Sequence, residues 1–147
     1  MRTLLDTCVL SELARPEGSS AVRAFVESLG PDDAHLSAIT IGELVNGAAR
    51  APRGRRRDRI EAWIRTVEDD FADRVLPVDH RVARTWGLID AQVRSRGWTL
   101  SLADGLIAAT ALVHDLRLAT RNLRDFEPTG ARVEDPWTTG RGDGPRH

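Results

Sequence analysis

Residues 3–13 read TLLDTCVLSEL, and this stretch decides the fold. Thr3 to Leu5 is a short apolar run that stops at Asp6. A run this short, bounded by a carboxylate, reads as a buried strand. A short helix over about Val9 to Ala14 follows and stops before Pro16, since the residue before a proline is driven out of the helical region. A buried strand feeding directly into a helix is how an α/β fold opens.

The alternation continues along the chain. Ser19 or Ser20 can cap a helix whose apolar residues Val22, Phe25, Val26 and Leu29 follow helical spacing, and Gly30-Pro31 ends it. Ala34 to Ile39 reads as a second strand, after which Thr40 opens a helix through Val45 and Ala49. An arginine-rich loop leads to a stripe of Ile60, Trp63, Ile64, Val67 and Phe71. Val75 to Val78 is a short strand, and Pro77 confines it to a sheet edge. Asp79 caps a helix carrying Val82, Trp86, Ile89 and Val93, which Gly97 closes. Ser101 caps the next helix, through Ile107 to about His114. Arg117 to Thr120 is the last main strand, and Val133 belongs to a final short edge strand. The expectation is one α/β domain over residues 1–135, with a central, mainly parallel sheet covered by helices on both faces. The turn-rich end, PWTTGRGDGPRH over residues 136–147, is expected to be a flexible, frayed tail.

Composition narrows the function. With 41% hydrophobic and 29% charged residues in 147, the chain is globular, not disordered. No apolar run approaches the roughly 18 residues of a membrane span, and the start, MRTLLDTCVL, has no signal-peptide pattern. Cys8 is the single cysteine, so no internal disulfide forms. A cytoplasmic, reducing compartment is the expectation. Net charge is −1, which advertises no global attraction to nucleic acid. All 21 basic residues are arginine, and six fall between Arg50 and Arg59. That run suits phosphate, or equally a solvated surface. The absence of tyrosine excludes a tyrosine nucleophile. The four histidines have no metal-ligand spacing and take no role. Trp63 and Trp86 lie on helical stripes and read first as core, then as a dimer face, and last as base-stacking platforms.

Three acids stand at the edges of apolar stretches: Asp6, Glu43 in ITIGELVNG, and Asp104 in LSLADGLIAATA. The cluster TRNLRDF adds Asn122 and Asp125. Asp6 and Asn122 follow expected strands, while Glu43 and Asp104 fall in first helical turns, so four polar groups can converge on the carboxyl rim of one sheet. Buried carboxylates need a partner, and a hard divalent cation engages several at once. Such an ion polarises a phosphodiester oxygen and lowers the pKa of bound water. Each residue also has an ordinary reading. Thr40-x-x-Glu43 and Ser101-x-x-Asp104 resemble capping boxes. Asp6 can cap the first helix, and Asn122 can be a left-handed turn residue. Thr7, Ser11 and Thr120 are hydroxyls placed to orient a carboxylate, or simply to cap and turn. Arg121 adjoins the cluster and can contact a scissile phosphate or lie on the surface.

The segments LLDTCVLSEL, LSAITIGELVNGA, LSLADGLIAATAL and LATRNLRDFEPTGARV, in this order and spacing, resemble the PIN domain, and within it the VapC-like toxins of bacterial toxin–antitoxin pairs. The resemblance runs from Arg2 to about Val133. It implies a three-layer α/β/α sandwich and a magnesium-dependent endoribonuclease, with manganese the other candidate ion. Asp6, Glu43 and Asp104 would be its acids, Asp6 and Asp104 the principal metal ligands, and Glu43 the group that orients water. It also implies an RNA substrate, a cognate VapB-like antitoxin and a homodimer. The family's fourth position falls at Asn122, where many relatives carry Asp. A charge is lost there, and Asp125 is the acid at hand to replace it. Cys8 stands where Asn or Ser is more usual and reads as a small buried residue. One other reading is a phosphatase using Asp6 as nucleophile. That chemistry wants an acid two residues on, and Cys8 stands there. Another is a PIN domain that binds RNA or protein without cutting.

Overall fold

The computed structural model describes residues 1–139. Strand β1 (Thr3–Leu5) passes into helix α1 (Thr7–Ala14) with only Asp6 between them. Helix α2 (Ser20–Ser28), strand β2 (Ala34–Ser37), helices α3 (Ala38–Arg50) and α4 (Arg55–Asp70) and strand β3 (Val75–Leu76) follow. Helices α5 (His80–Ser95) and α6 (Leu102–Val113), strand β4 (Arg117–Ala119), helix α7 (Leu123–Phe126), strand β5 (Val133–Glu134) and the turn α8 (Pro136–Thr139) complete it.

The sheet order is β3-β2-β1-β4-β5, and every pairing is parallel. The chain builds outward from β1 to one edge through β2 and β3, then returns to add β4 and β5 on the other side. The order therefore reverses between β1 and β4. In open parallel sheets, the crevice outside such a reversal is where ligands bind.

Side-chain alternation assigns the layers. Leu5, Leu36 and Ala119 pack with Val9, Leu10, Val22, Leu44 and Ile64, so α1 to α4 lie toward one face. Leu4 and Leu118 pack with Ile107, Ala111 and Phe126 on the other. Val82, Ile89 and Val93 of α5 then cover Leu106 and Ala109 of α6. Leu4 and Leu5 are each 0% exposed. Burying a leucine contributes about 1.5–3 kcal/mol, so adjacent residues anchor opposite layers. The result is the expected α/β/α sandwich.

Several boundaries differ from the sequence reading. Helix α1 begins at Thr7, because Asp6 is its cap and Oδ1 accepts from the Thr7 N–H at 2.8 Å. Thr40 does not open α3. Ser37 does, ending β2 and accepting from the Ile39 N–H at 3.1 Å. Glu43 thus lies beyond the first turn, and the expected capping box at Thr40 is not formed. Asn122 has φ −92°, so it is not a left-handed turn residue. Arg55 to Arg59 are already helical, as the first turns of α4. Order also continues past residue 135. Pro136 is buried, and Trp137 packs against the first core cluster. The remainder of the expected frayed tail, residues 140–147, lies outside the described residues.

Candidate active site

The carboxyl ends of β1 and β4 place Asp6 and Thr120 side by side. Asp6 is 4% exposed. Its Oδ2 accepts from the Thr120 hydroxyl at 2.8 Å and from the Cys8 thiol at 3.4 Å. The Thr120 oxygen in turn accepts from the Asn122 N–H at 3.1 Å. The buried carboxylate is therefore held through both oxygens, with its rotamer set by its neighbours.

Helix α3 delivers Glu43 from the α1 side. Thr7 Oγ1 lies 2.7 Å from Glu43 Oε1 and 3.2 Å from Thr40 Oγ1. A hydroxyl has one proton, and the carboxylate is the stronger acceptor. Thr7 therefore directs its proton to Glu43 at the shorter distance, with Thr40 as its second, longer acceptor. Helix α6 brings Asp104 in its first turn, where the Asp104 N–H donates to the Ser101 hydroxyl at 3.1 Å. Gly105 makes the seat possible. A Cβ there would lie 2.6 Å from Trp86 Cδ1, so α6 packs directly on the indole.

Asp6, Glu43, Asp104 and Asn122 line one open cleft of about 460 Å³, together with Ser11 and Arg121. Burial raises the Asp104 carboxyl above its ordinary value of 3.8. The charges of Asp6, Glu43 and Asp125 push it further in the same direction, while the Ser101 hydrogen bond opposes them. Among the described residues, no ion pair engages Asp6, Glu43, Asp104 or Asp125. These acids repel one another without a protein cation to compensate. No three of the described His, Cys, Asp or Glu residues stand in ready metal-ligand geometry. The donors share a cleft and a repulsion without forming a closed cage. Their chemistry, uncompensated hard oxygens beside a partly open cleft, fits a divalent cation. Asp125 acts on the site through its charge, whereas Asn122 forms part of the wall.

Three wall residues were not anticipated as site residues: Glu12, Arg15 and Trp137. Arg15 is recognisable in sequence only as the residue before Pro16 that ends α1, which does not mark it as a wall residue. Trp137 offered only its aromatic character in a polar tail. Cys8 is half-buried beside Asp6. Burial first, then the Asp6 charge, pushes its thiol up to about 11. It stays protonated, as a nucleophile would not.

An α/β/α sandwich with unpaired acids at its switch point defines a class of cation-dependent phosphoester enzymes. Comparison with known proteins narrows it: a family profile described as the PIN domain matches residues 3–130. The chain is 38% identical over 138 residues to VapC ribonuclease Y4jK of Sinorhizobium fredii, covering 91% of this chain and 96% of that one. Toxin FitB of Neisseria gonorrhoeae is 38% identical over 135 residues, covering 91% and 97%. The crystal structure of FitAcB from the same organism superposes with a TM-score of 0.86 at 38% identity, over 92% of this chain and 98% of that chain. The chain belongs to the PIN-domain family, in its VapC-like branch of toxins. Nucleases of this branch are in general divalent-metal-dependent.

Proposed function

We propose that this chain is a magnesium-dependent endoribonuclease, the toxin of a toxin–antitoxin pair, with Asp6, Glu43 and Asp104 as its working acids. The observation that carries the proposal is their convergence on one cleft at the β1–β4 reversal, with no ion-pair partner among the described residues. Kinship with a VapC ribonuclease supports RNA as the substrate, and likeness to solved toxin–antitoxin complexes supports a VapB-like antitoxin as the partner. A homodimer is part of the same reading.

Asp6 and Asp104 would hold the ion, and Asn122 or Asp125 would serve the fourth position. When bound, a divalent ion supplies Lewis-acid polarisation of the phosphodiester and eases deprotonation of the attacking water. Thr120 and the Thr7 N–H keep Asp6 in one rotamer, so its carboxylate would hold a cation without reorganising. Glu43 uses Oε1 to accept from the Thr7 hydroxyl, which leaves Oε2 for the water that attacks phosphorus. Water forms the new P–O bond, its proton passes to Glu43, and the bond to the departing ribose oxygen breaks, that oxygen taking a proton from solvent to leave as a hydroxyl. Arg121, at the rim, meets the phosphate of the strand being cut.

Asp6→Asn and Asp104→Asn are each expected to lower magnesium-dependent RNA cleavage by more than about a hundredfold and to abolish growth inhibition on induction. The check is gel-resolved cleavage with and without chelator, beside circular dichroism to verify folding. Wild-type cleavage rates in either variant would remove the assignment. RNA binding without any metal-dependent cleavage by the unmodified chain would favour the non-catalytic reading.

A further inference from the structure

Arg121 follows β4, and Trp137 comes from the last described turn, yet they meet at the cleft. The Arg121 guanidinium carbon lies 5.1 Å from the centre of the Trp137 ring. Both line the wall that carries the acids. The ring is fixed from behind. The backbone N–H of Trp137 donates to Asp135 Oδ1 at 2.8 Å, the indole packs on the first core cluster, and α8 lies against α2. The arginine is exposed.

An unrestrained arginine beside three unpaired carboxylates would swing into them. That would neutralise the donors and compete with the cation. Among the described residues, Arg121 makes no ion pair. Its guanidinium is engaged by the indole instead. A guanidinium whose charge is engaged by an aromatic ring still has N–H groups left for an anion. The chain has no lysine, so a cation at this rim must be an arginine. The other cleft arginine, Arg15, is drawn toward Glu12 at 3.7 Å.

We propose that Trp137 is a positioning residue: its ring holds Arg121 off the acids and available to a phosphate of the bound RNA strand. The inference rests on reading the cleft as an RNA-cleaving site. It makes the end of the described chain, outside the matched span of residues 3–130, part of substrate recognition.

The test is binding of a fluorescein-labelled, mixed-sequence single-stranded RNA by the full chain in EDTA, read by anisotropy over a salt series. Arg121→Gln, Trp137→Leu and the double variant are compared with the unmodified chain. Each single change is expected to weaken binding about two- to fivefold and to lower the slope of log K against log salt by about 0.7, one phosphate contact on a single strand. The double variant should match Arg121→Gln, because the tryptophan acts only through the arginine. A purely structural tryptophan would leave the salt slope unchanged or add to the Arg121 effect, and either result overturns the proposal. Should Trp137→Leu fail to fold by circular dichroism, Trp137→Phe decides. A smaller loss of the same sign, absent in the Arg121→Gln background, supports the proposal, and no loss overturns it. Parallel assays with magnesium separate the two levels. If the unmodified chain cleaves and Asp104→Asn does not, while the tryptophan effect is absent or additive, only this inference fails. If the unmodified chain neither binds nor cleaves the RNA, both fall.

Discussion

At the scale of single residues, the site is organised by hydroxyls as much as by acids. Thr120 touches Asp6 directly, through a 2.8 Å bond to the most buried carboxylate of the cleft. Thr120→Val removes the donor while keeping the volume. We expect it to weaken metal affinity or cleavage by about 10- to 100-fold, the usual cost of losing a group that orients a ligand. Cation titration by calorimetry beside the cleavage assay would check this. Asp104 makes the opposite kind of contribution. Its folded carboxyl is raised above 3.8, first by burial and then by neighbouring charge. The folded state therefore holds its proton more tightly than the unfolded chain does, and stability falls as pH rises from the unfolded value through the folded one. Asp104→Asn should melt at a higher temperature than the unmodified chain at neutral pH in chelator. That gain should vanish below about pH 4, where the carboxyl is protonated in both states. Melting curves across pH settle it, and a constant difference would contradict the sign.

At the scale of elements, cap positions decide which side chains reach the cleft. Asp79 and Ser101 cap α5 and α6 where expected, because a cap is a local arrangement of one side chain and the next N–H groups. The start of α3 was less legible, since Ser37 and Thr40 are both competent caps in sequence. The choice is made by β2, whose Ser37 pairs with Leu76 of β3 and so ends the strand there. That pairing moves Glu43 past the first turn, where the helix N-terminus no longer holds it and Thr7 of a different helix can. The close α5–α6 contact is similarly non-local. Gly105→Ala would force a Cβ within 2.8 Å of Trp86 Nε1. We expect a loss of about 1–3 kcal/mol, typical of overpacking, together with lower activity because Asp104 precedes it. Chemical denaturation with a cleavage assay reads both.

At the scale of the whole molecule, folding and cation binding should be linked. The fold gathers acids from the β1–α1 junction, α3 and α6 that the unfolded chain keeps far apart, so a divalent ion favours the folded state. At a concentration a hundred times its dissociation constant, an ion adds about 2.7 kcal/mol of stability. Magnesium or manganese should therefore raise the melting temperature of the unmodified chain and leave Asp6→Asn nearly unmoved, as scanning calorimetry would show. Sequence alone determined the α/β class, the strand-to-helix junction at Asp6, the amphipathic stripes and three candidate acids. All of these rest on periodicity, caps and charge placed within a few residues of one another. Among the described residues, no helix is long and apolar enough to cross a membrane, as composition had indicated. Only the tertiary structure decided that β1 and β4 are neighbours, that Thr120 and Thr7 orient the acids, and that Trp137 sits under Arg121. Those relations depend on which surfaces remain uncovered once the sheet has formed. A chain read residue by residue carries no measure of distance between segments that meet only after folding.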